Sequence, residues 1–556
     1  MRLSASPRDL ATDVLAGLQG AVSSFPGGMA AAVLAGVHPI QGLYACVAGP
    51  IAGGVTARTR LMIITTTGAV ALAAGSALHN VRPAERSPAV GLLTIFVAAA
   101  LILAGFLRLG RCTRFVAHSV MIGFLTGISV NIVCGQLAGL TGTTAHGHVA
   151  VEQAAHVLLH PGRIHLPSAL AGLGALAILV VLARTRFAAA GMLIAVVLPT
   201  AVVALAGATS VPRVKDSGRI PPGIPVPAVP DVHLISYGMI TGALAVAVII
   251  MVQGAGVAEA ARPREPGAPP VNGDIIAQGV GNAASALLHG IPVGGSLGQT
   301  AVNVNSGART RFAAVACGGW MAVILAAFSG AIGEVAVPTL SAVLIYFGLG
   351  TLQLRELRSI MRTGPGSQVA VVTTLTATLL LPVAVAVGIG VALSLLMQLN
   401  RDQLDLTVVE LIPLDDGRLA ETEPPKQLPA GKVTILDVYG SLLYSGSRTL
   451  QVQLPDPADH AVLVIRLRGR TFLGATFLKV ACDYADLLDE RGGRLYLSGL
   501  DPGVVEWLRG TGRVGGPVQL AAATPVLGES TYNAYLAGAT WLTRANASQD
   551  SDGVDG

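Results

Sequence analysis

Charge is what this sequence has least of. Asp, Glu, Lys and Arg make up 12% of its 556 residues, against about 25% in a soluble globular protein. That scarcity excludes an ordinary water-soluble fold for most of the chain. The stretches 116–142 and 369–399 hold none of these residues, and each exceeds the about 20 residues that span a bilayer core. Aromatic residues are also sparse, at 4%. The basic balance, net +5 with a pI ≈ 9.1, therefore comes without an aromatic-interleaved basic patch, and no nucleic-acid partner is expected. The cysteines Cys46, Cys112, Cys134, Cys317 and Cys482 fall singly, which excludes a disulfide framework or paired zinc motif and leaves them as packing residues. Nothing reads as a nucleophile elbow or a pair of catalytic carboxylates, so neither an enzyme nor a cofactor is expected.

What is present in quantity is small and apolar: 52% hydrophobic residues and 68 glycines. Small residues weaken a soluble helix but let helices approach closely in lipid. From Arg401 onward the texture changes to interspersed charges and short apolar runs, which marks a soluble domain. Arg2, Arg8, Asp9 and Asp13 precede the first apolar segment, which flows into a second, so no cleavable signal is expected.

Arginine placement sets the orientation. With the N-terminus inside, alternating crossings bring Arg58, Arg60, Arg108, Arg111, Arg114, Arg184, Arg186, Arg262, Arg264, Arg309, Arg311, Arg355, Arg358, Arg362 and Arg401 to the cytoplasm. The other side receives Arg82, Arg86, Arg163, Arg213, Lys215 and Arg219. The walk predicts fourteen transmembrane segments, seven before and seven after an extracellular Pro-rich linker at 208–233. An odd number per half inverts one half relative to the other, and such repeats place the transport site near the midplane at broken helices.

Two interrupted segments stand at matching positions. Residues 61–67 are extended and β-branched before Gly68 opens an Ala-rich helix, and 290–295 is a Gly/Pro run before a short helix from Ser296. Two helix N-termini aimed at one cavity form an anion cradle without a buried lysine. The expected substrate contacts are Thr65, Thr66, Thr67, Gly68, Gly295, Ser296, Leu297 and Gln299, with hydroxyls adding donors. The partners implied are a small inorganic anion and membrane lipid.

At these residues the sequence resembles the sulfate permease family of anion transporters. The segment Gly290-Ile-Pro-Val-Gly-Gly-Ser296-Leu-Gly-Gln299-Thr-Ala-Val-Asn303 is similar to the family's tenth-helix signature. Leu34-Ala-Gly36, Pro39 and Gly42-Leu-Tyr44 resemble its first-helix signature, 218–225 its inter-half linker, and Asn272-Gly-Asp274 with Gln278-Gly and Gly281-Asn282 the run before the tenth helix. The resemblance implies an all-α membrane domain with a 7+7 inverted repeat, an architecture shared with nucleobase carriers, plus a small α/β STAS domain. It also implies a homodimer in the cell's inner (plasma) membrane with both termini cytoplasmic.

Departures bear on mechanism. Gly27 and Gly28 follow Pro26 where the family reads Gln-Ala, Ala31 takes an aromatic position, and Ala69 replaces a proline. The eighth-helix carboxylate that serves coupling in cation-coupled members falls on Gln253, and an amide neither titrates nor offers a cation charge. Glu259 is either a substitute or an interfacial ion-pair partner of Arg262 and Arg264. Gln299 stands where some animal members carry arginine, leaving helix dipoles as the main positive field.

The domain reading is 1–400 for transport (halves about 1–207 and 234–400), 401–431 as linker, 432–542 as a cytosolic STAS domain, and 543–556 as a disordered tail. Strands at 433–438, 461–467, 494–497 and 518–522 alternate with helices at 473–491 and 502–510. Thr476 sits where STAS regulators are phosphorylated but lacks the preceding Asp. His146, His148, His156, His160 and His165 read as a solvated loop, not a metal site. The expected function is alternating-access transport of a small inorganic anion, sulfate first and bicarbonate or chloride next. An uncoupled anion channel-like pathway and a nucleobase carrier are the alternatives.

Overall fold

Proline opens helices throughout the membrane part, at the first turns of 39–56, 337–350 and 365–380, where its missing N–H costs nothing. Small residues then bring helices into backbone contact. A Cβ at Gly42 would lie 1.8 Å from the carbonyl oxygen of Gly28, so the first two helices touch only because both positions are glycine. Gly142, at φ 64°, ends a helix in the left-handed conformation that glycine adopts without strain.

A computed structural model describes residues 7–111, 117–147, 149–185, 188–217, 223, 225–228, 230, 233, 235–260, 271–404, 406–414, 419–442, 444–510 and 514–552. Cys112, Arg114, His148, Arg186, Arg219, Arg262 and Arg264 lie outside the described residues, as does the side chain of Glu259. The chain divides into two units, 1–395 and 396–556.

In the first half of the first unit come α1 (Pro7–Leu34), α2 (Pro39–Thr56), β1 (Ile64–Thr65), α3 (Gly68–Ala77), α4 (Arg86–Phe106), α5 (His118–Thr141), α6 (Ala150–Leu159), α7 (Leu166–Leu182) and α8 (Ala188–Leu205). The second half holds α9 (Tyr237–Ala260), α10 (Asn272–Leu287), β2 (Gly294–Gly295), α11 (Leu297–Asn305), α12 (Phe312–Gly333), α13 (Val337–Gly350), α14 (Leu354–Ile360), α15 (Pro365–Leu380) and α16 (Val383–Leu404), the last running into the second unit. Packing partners exchange between the halves. α4 packs on α10 as α12 packs on α2, α1 on α12 as α9 on α4, and α5 on α15 as α13 on α7. That exchange is the signature of a two-fold relation between the halves.

Among the described residues, five helices are long and apolar enough to cross a membrane by length and composition: 83–106, 118–141, 237–258, 312–333 and 337–360. Outward faces are apolar too. Leu166, Leu170 and Leu173 on α7, and Leu198, Val202 and Leu205 on α8, are all exposed at i, i+4, i+7 spacing. Such stripes disfavour a water-facing helix but suit one facing lipid.

The second unit is a six-stranded sheet in the order β4-β3-β5-β6-β7-β8, from β3 (Thr407–Pro413), β4 (Leu419–Thr422), β5 (Val433–Tyr439), β6 (Val462–Arg466), β7 (Arg494–Leu500) and β8 (Val518–Ala522). Strands β5 to β8 run parallel, and β3 and β4 add an antiparallel edge. The helices are α17 (Tyr444–Gln453), α18 (Ala475–Asp489), α19 (Pro502–Gly510) and α20 (Glu529–Asp552). The core around Phe477, Leu463 and Leu497 fills one face of the sheet, and Ala534 and Leu542 of α20 pack with Ile435 and Val464 on the other.

Two boundaries differ from the sequence reading. The stretch 401–431 supplies strands β3 and β4, because Val408 and Leu411 are buried and complete the sheet edge. The tail from 543 continues α20 to Asp552, because its apolar face is anchored upstream by Ala534 and Leu542. Thr476 lies in the first turn of α18, partly buried. His156 packs edge-on against His146 at 5.2 Å and stacks on His160 at 4.4 Å. No group of three or more His, Cys, Asp or Glu side chains among the described residues is arranged to hold a metal ion.

Candidate functional site: a cavity between two helix tips

Both half-helices start where their local sequence dictates. Thr67, extended at φ −131° and ψ 150°, caps α3 by accepting from the Val70 N–H at 3.4 Å. Ser296, also extended, caps α11 by accepting from the Gln299 N–H at 3.3 Å. Hydroxyl side chains at this position replace the acceptor a helix start lacks, worth about 1 kcal/mol.

The extended stretches ahead of the caps pair with each other. Ile64 faces Gly295 and Thr65 faces Gly294 in an antiparallel ladder, and the Ser296 N–H donates to the Ile63 carbonyl at 2.9 Å. Amides on α10 hold the second stretch. Gln278 Oε1 accepts from the Gly295 N–H at 2.9 Å, while Asn282 accepts from the Val293 N–H at 2.9 Å and donates to its carbonyl at 2.7 Å. Non-helical backbone at membrane depth needs such partners, since each buried group left unpaired costs about 1–3 kcal/mol.

These elements enclose a cavity of about 660 Å³. Thr65, Thr66, Thr67, Gly68, Gln253, Gly295, Ser296, Leu297 and Gln299 all line it. The structure thus brings together the named site residues whose side chains are described, a set that does not include Glu259. Among the described residues, the lining contains no Asp, Glu, Lys, Arg or His. The N–H groups of Gly68, Ala69, Leu297 and Gly298, in the first turns of α3 and α11, lack intrahelical acceptors and belong to residues lining this space. Among the described lining residues, electropositive character therefore comes mainly from the backbone.

The side chains are engaged in ways the sequence did not reveal. Thr65 Oγ1 donates to Cys46 Sγ at 3.4 Å, and Thr66 Oγ1 lies 3.6 Å from the same sulfur, so both hydroxyls rest on α2. Thr67 Oγ1 donates to Gln253 Oε1 at 3.2 Å, tying the α3 cap to α9. Gln299 Nε2 donates to Ser23 Oγ at 3.1 Å on α1. Ser23, Phe347, Thr351 and Gln353 also line the cavity and were missed. The resemblance singled out Gln278 and Asn282 only as members of the run before the tenth helix; their i, i+4 spacing on one helical face was the signal that they could act together.

A family model described as the sulfate permease family matches residues 10–374. A probable sulfate transporter of Mycobacterium tuberculosis (strain CDC 1551 / Oshkosh) is 30% identical over 359 residues, 64% of this chain and 64% of that protein. The chain thus spans under two thirds of that curated relative. The bicarbonate transporter BicA of Picosynechococcus sp. is 25% identical over 313 residues, 54% of this chain and 55% of that protein. In fold, the chain is similar to the murine Solute Carrier 26 family member A9 anion transporter in the inward-facing state, with a TM-score of 0.81 at 18% identity, covering 96% of this chain and 92% of that one. The transmembrane domain of BicA is similar at a TM-score of 0.60 and 19% identity, covering 70% of this chain and 98% of that one.

Proposed function

Because this chain belongs to the sulfate permease family, a family of multi-pass membrane proteins, we propose that it is a secondary transporter of a small inorganic anion, sulfate first and bicarbonate or chloride next. The observation that carries this reading is the meeting of two helix N-termini, with first-turn N–H groups at Gly68, Ala69, Leu297 and Gly298, at a cavity lined by no charged side chain among the described residues. An anion there replaces hydration with backbone donors and a favourable dipole worth up to about 2 kcal/mol per helix end. A buried lysine or arginine would cost about 2.5–3.5 kcal/mol to insert and would hold the anion against release.

In this mechanism Thr65, Thr66, Thr67, Gly68, Gly295, Ser296, Leu297 and Gln299 bind the anion near the midplane, and alternating access exposes them to each side in turn. The chain crosses the plasma membrane fourteen times with cytoplasmic termini, works as a homodimer, and carries its α/β unit as a STAS domain with a packing, dimerising or trafficking role. A second reading, an uncoupled anion pathway, draws support from Gln253, whose amide carries no titratable proton and whose oxygen accepts from Thr67.

Reconstituted protein decides between them. Labelled sulfate uptake into proteoliposomes should accelerate when unlabelled anion is loaded inside, whereas an uncoupled pathway shows no such acceleration. Ser296→Lys and Thr67→Trp should each abolish uptake while leaving membrane-inserted protein at parental levels. Uptake at parental rates in both variants would place the site elsewhere.

A further inference from the structure

The chain contains the four-residue segment Ala-Arg-Thr-Arg three times. One copy is Ala183-Arg184-Thr185-Arg186, and the other two, Ala57-Arg58-Thr59-Arg60 and Ala308-Arg309-Thr310-Arg311, are held alike. The first of this pair joins α2 to the stretch that leads into β1, and so enters one arm of the cradle, whereas the second joins α11 to α12, at the far end of the half-helix that follows the other arm. A buried aspartate from another helix grips each of these two copies in the same way. Asp274 of α10 accepts through Oδ1 from the N–H groups of Arg58 (2.7 Å) and Thr59 (2.9 Å), and through Oδ2 from Thr59 Oγ1 (2.7 Å). Asp13 of α1 accepts through Oδ1 from the N–H groups of Arg309 (2.7 Å) and Thr310 (3.2 Å), and through Oδ2 from Thr310 Oγ1. Both aspartates are 0% exposed.

These two copies also grip each other. Arg60 Nη2 donates to the Arg309 carbonyl at 3.2 Å, and Arg311 Nη2 donates to the Arg58 carbonyl at 3.3 Å. A row of bonds then climbs to the tips. Asn303 Nδ2 donates to the Leu61 carbonyl at 3.1 Å, the Ile63 N–H to Thr300 Oγ1 at 3.1 Å, and the Ser296 N–H to the Ile63 carbonyl at 2.9 Å, where the β1–β2 ladder begins. Four arginines together suggest an external anion or lipid headgroup site, but three of their guanidinium groups are engaged within the chain, Arg309 by Asp9 at 2.8 Å and Arg60 and Arg311 by the carbonyls. The bonds point inward, toward the register of the two arms.

We propose that this doubled clamp sets the relative placement of the two helix tips, making Asp13, Asp274, Thr59 and Thr310 positioning residues for the cavity. A carboxylate that accepts two N–H and one O–H bond fixes a loop in one conformation, and a buried carboxylate oxygen deprived of its donor disfavours that conformation. With both loops fixed, the extended stretches can meet in only one register, and the first-turn N–H groups share one cavity. For its transport readout the inference rests on the anion reading above.

Thr59→Val and Thr310→Val remove the hydroxyl at nearly constant volume, while Thr59→Ser and Thr310→Ser keep it. In full-length reconstituted protein, each valine variant should raise the KM for labelled sulfate about tenfold while saturating uptake is largely kept, and each serine variant should restore the parental KM. Independently of transport, hydrogen exchange of peptides spanning 61–70 and 294–300 should speed up in the valine variants and not in the serine ones. Arg60→Gln and Arg311→Gln, which touch only exposed or half-exposed side chains, should move both readouts in the same direction by less. Valine variants with parental KM and parental exchange at the tips would overturn the proposal. So would exchange that rises equally throughout the protein in valine and serine variants alike. Should the parent protein itself take up no anion, the anion reading fails and the exchange arm alone decides the positioning role.

Discussion

The two arms of the cradle reach the same geometry by different chemistry. The first, residues 61–67, is rich in β-branched residues that favour extended backbone by themselves, and the hydroxyls of Thr65 and Thr66 rest on Cys46. The second, residues 290–295, is built from Gly and Pro with two apolar residues, Ile291 and Val293, and α10 holds it through Gln278 and Asn282. Side-chain bulk stiffens one arm and helix-borne amides hold the other. Removing a support should therefore damage the second arm far more than the first.

Asn282→Ala should show the largest effect. It deletes both bonds to Val293 and leaves a buried N–H and carbonyl unpaired, costing about 2–4 kcal/mol. Thermal unfolding of the detergent-solubilised protein should report the loss, and sulfate uptake should fall with it. A variant melting with the parent would mean that the glycine-rich arm needs no support from α10.

Cap removal comes next and sharpens the comparison at the tips themselves. Thr67→Ala and Ser296→Ala each delete a helix cap worth about 1 kcal/mol. Thr67 also bonds to Gln253, so its loss should disturb α9 as well and weaken anion uptake more than the loss of Ser296 does. Equal KM changes for the two variants would show that the Thr67–Gln253 bond contributes nothing to the site. The smallest effect belongs to Cys46→Ala, which removes only weak contacts with sulfur, about 1 kcal/mol or less. Uptake close to the parent's is expected, since the β-branched arm keeps its extended backbone; a collapse of uptake would assign the sulfur a role equal to that of the α10 amides.

Much of this site was legible in advance because its signals are local. A break ahead of an Ala-rich or Gly-rich helix start is visible whatever surrounds it, and Thr67 and Ser296 were named there as hydroxyl donors; that they cap the two helices is what the structure adds. The charge-free runs declared a membrane domain through length alone. Domain edges were less legible. The strands at 407–413 and 419–422 passed for a linker because neither shows a clean apolar alternation of its own, and each gains its place from pairing, β3 with β5 and β4 with β3.

The sequence by itself determined where helices begin and break, which windows suit lipid, and that the interrupted segments carry hydroxyls and glycines in place of charges, because those properties depend on neighbours a few residues away. Only the tertiary structure decided that Gln299 would lean on Ser23, that Thr67 would meet Gln253, and that two identical Arg-Thr loops would clasp each other beneath the tips. Bonds of that kind join residues far apart in the chain, and which donor finds which acceptor is settled when packed helices leave a buried polar group one partner within reach.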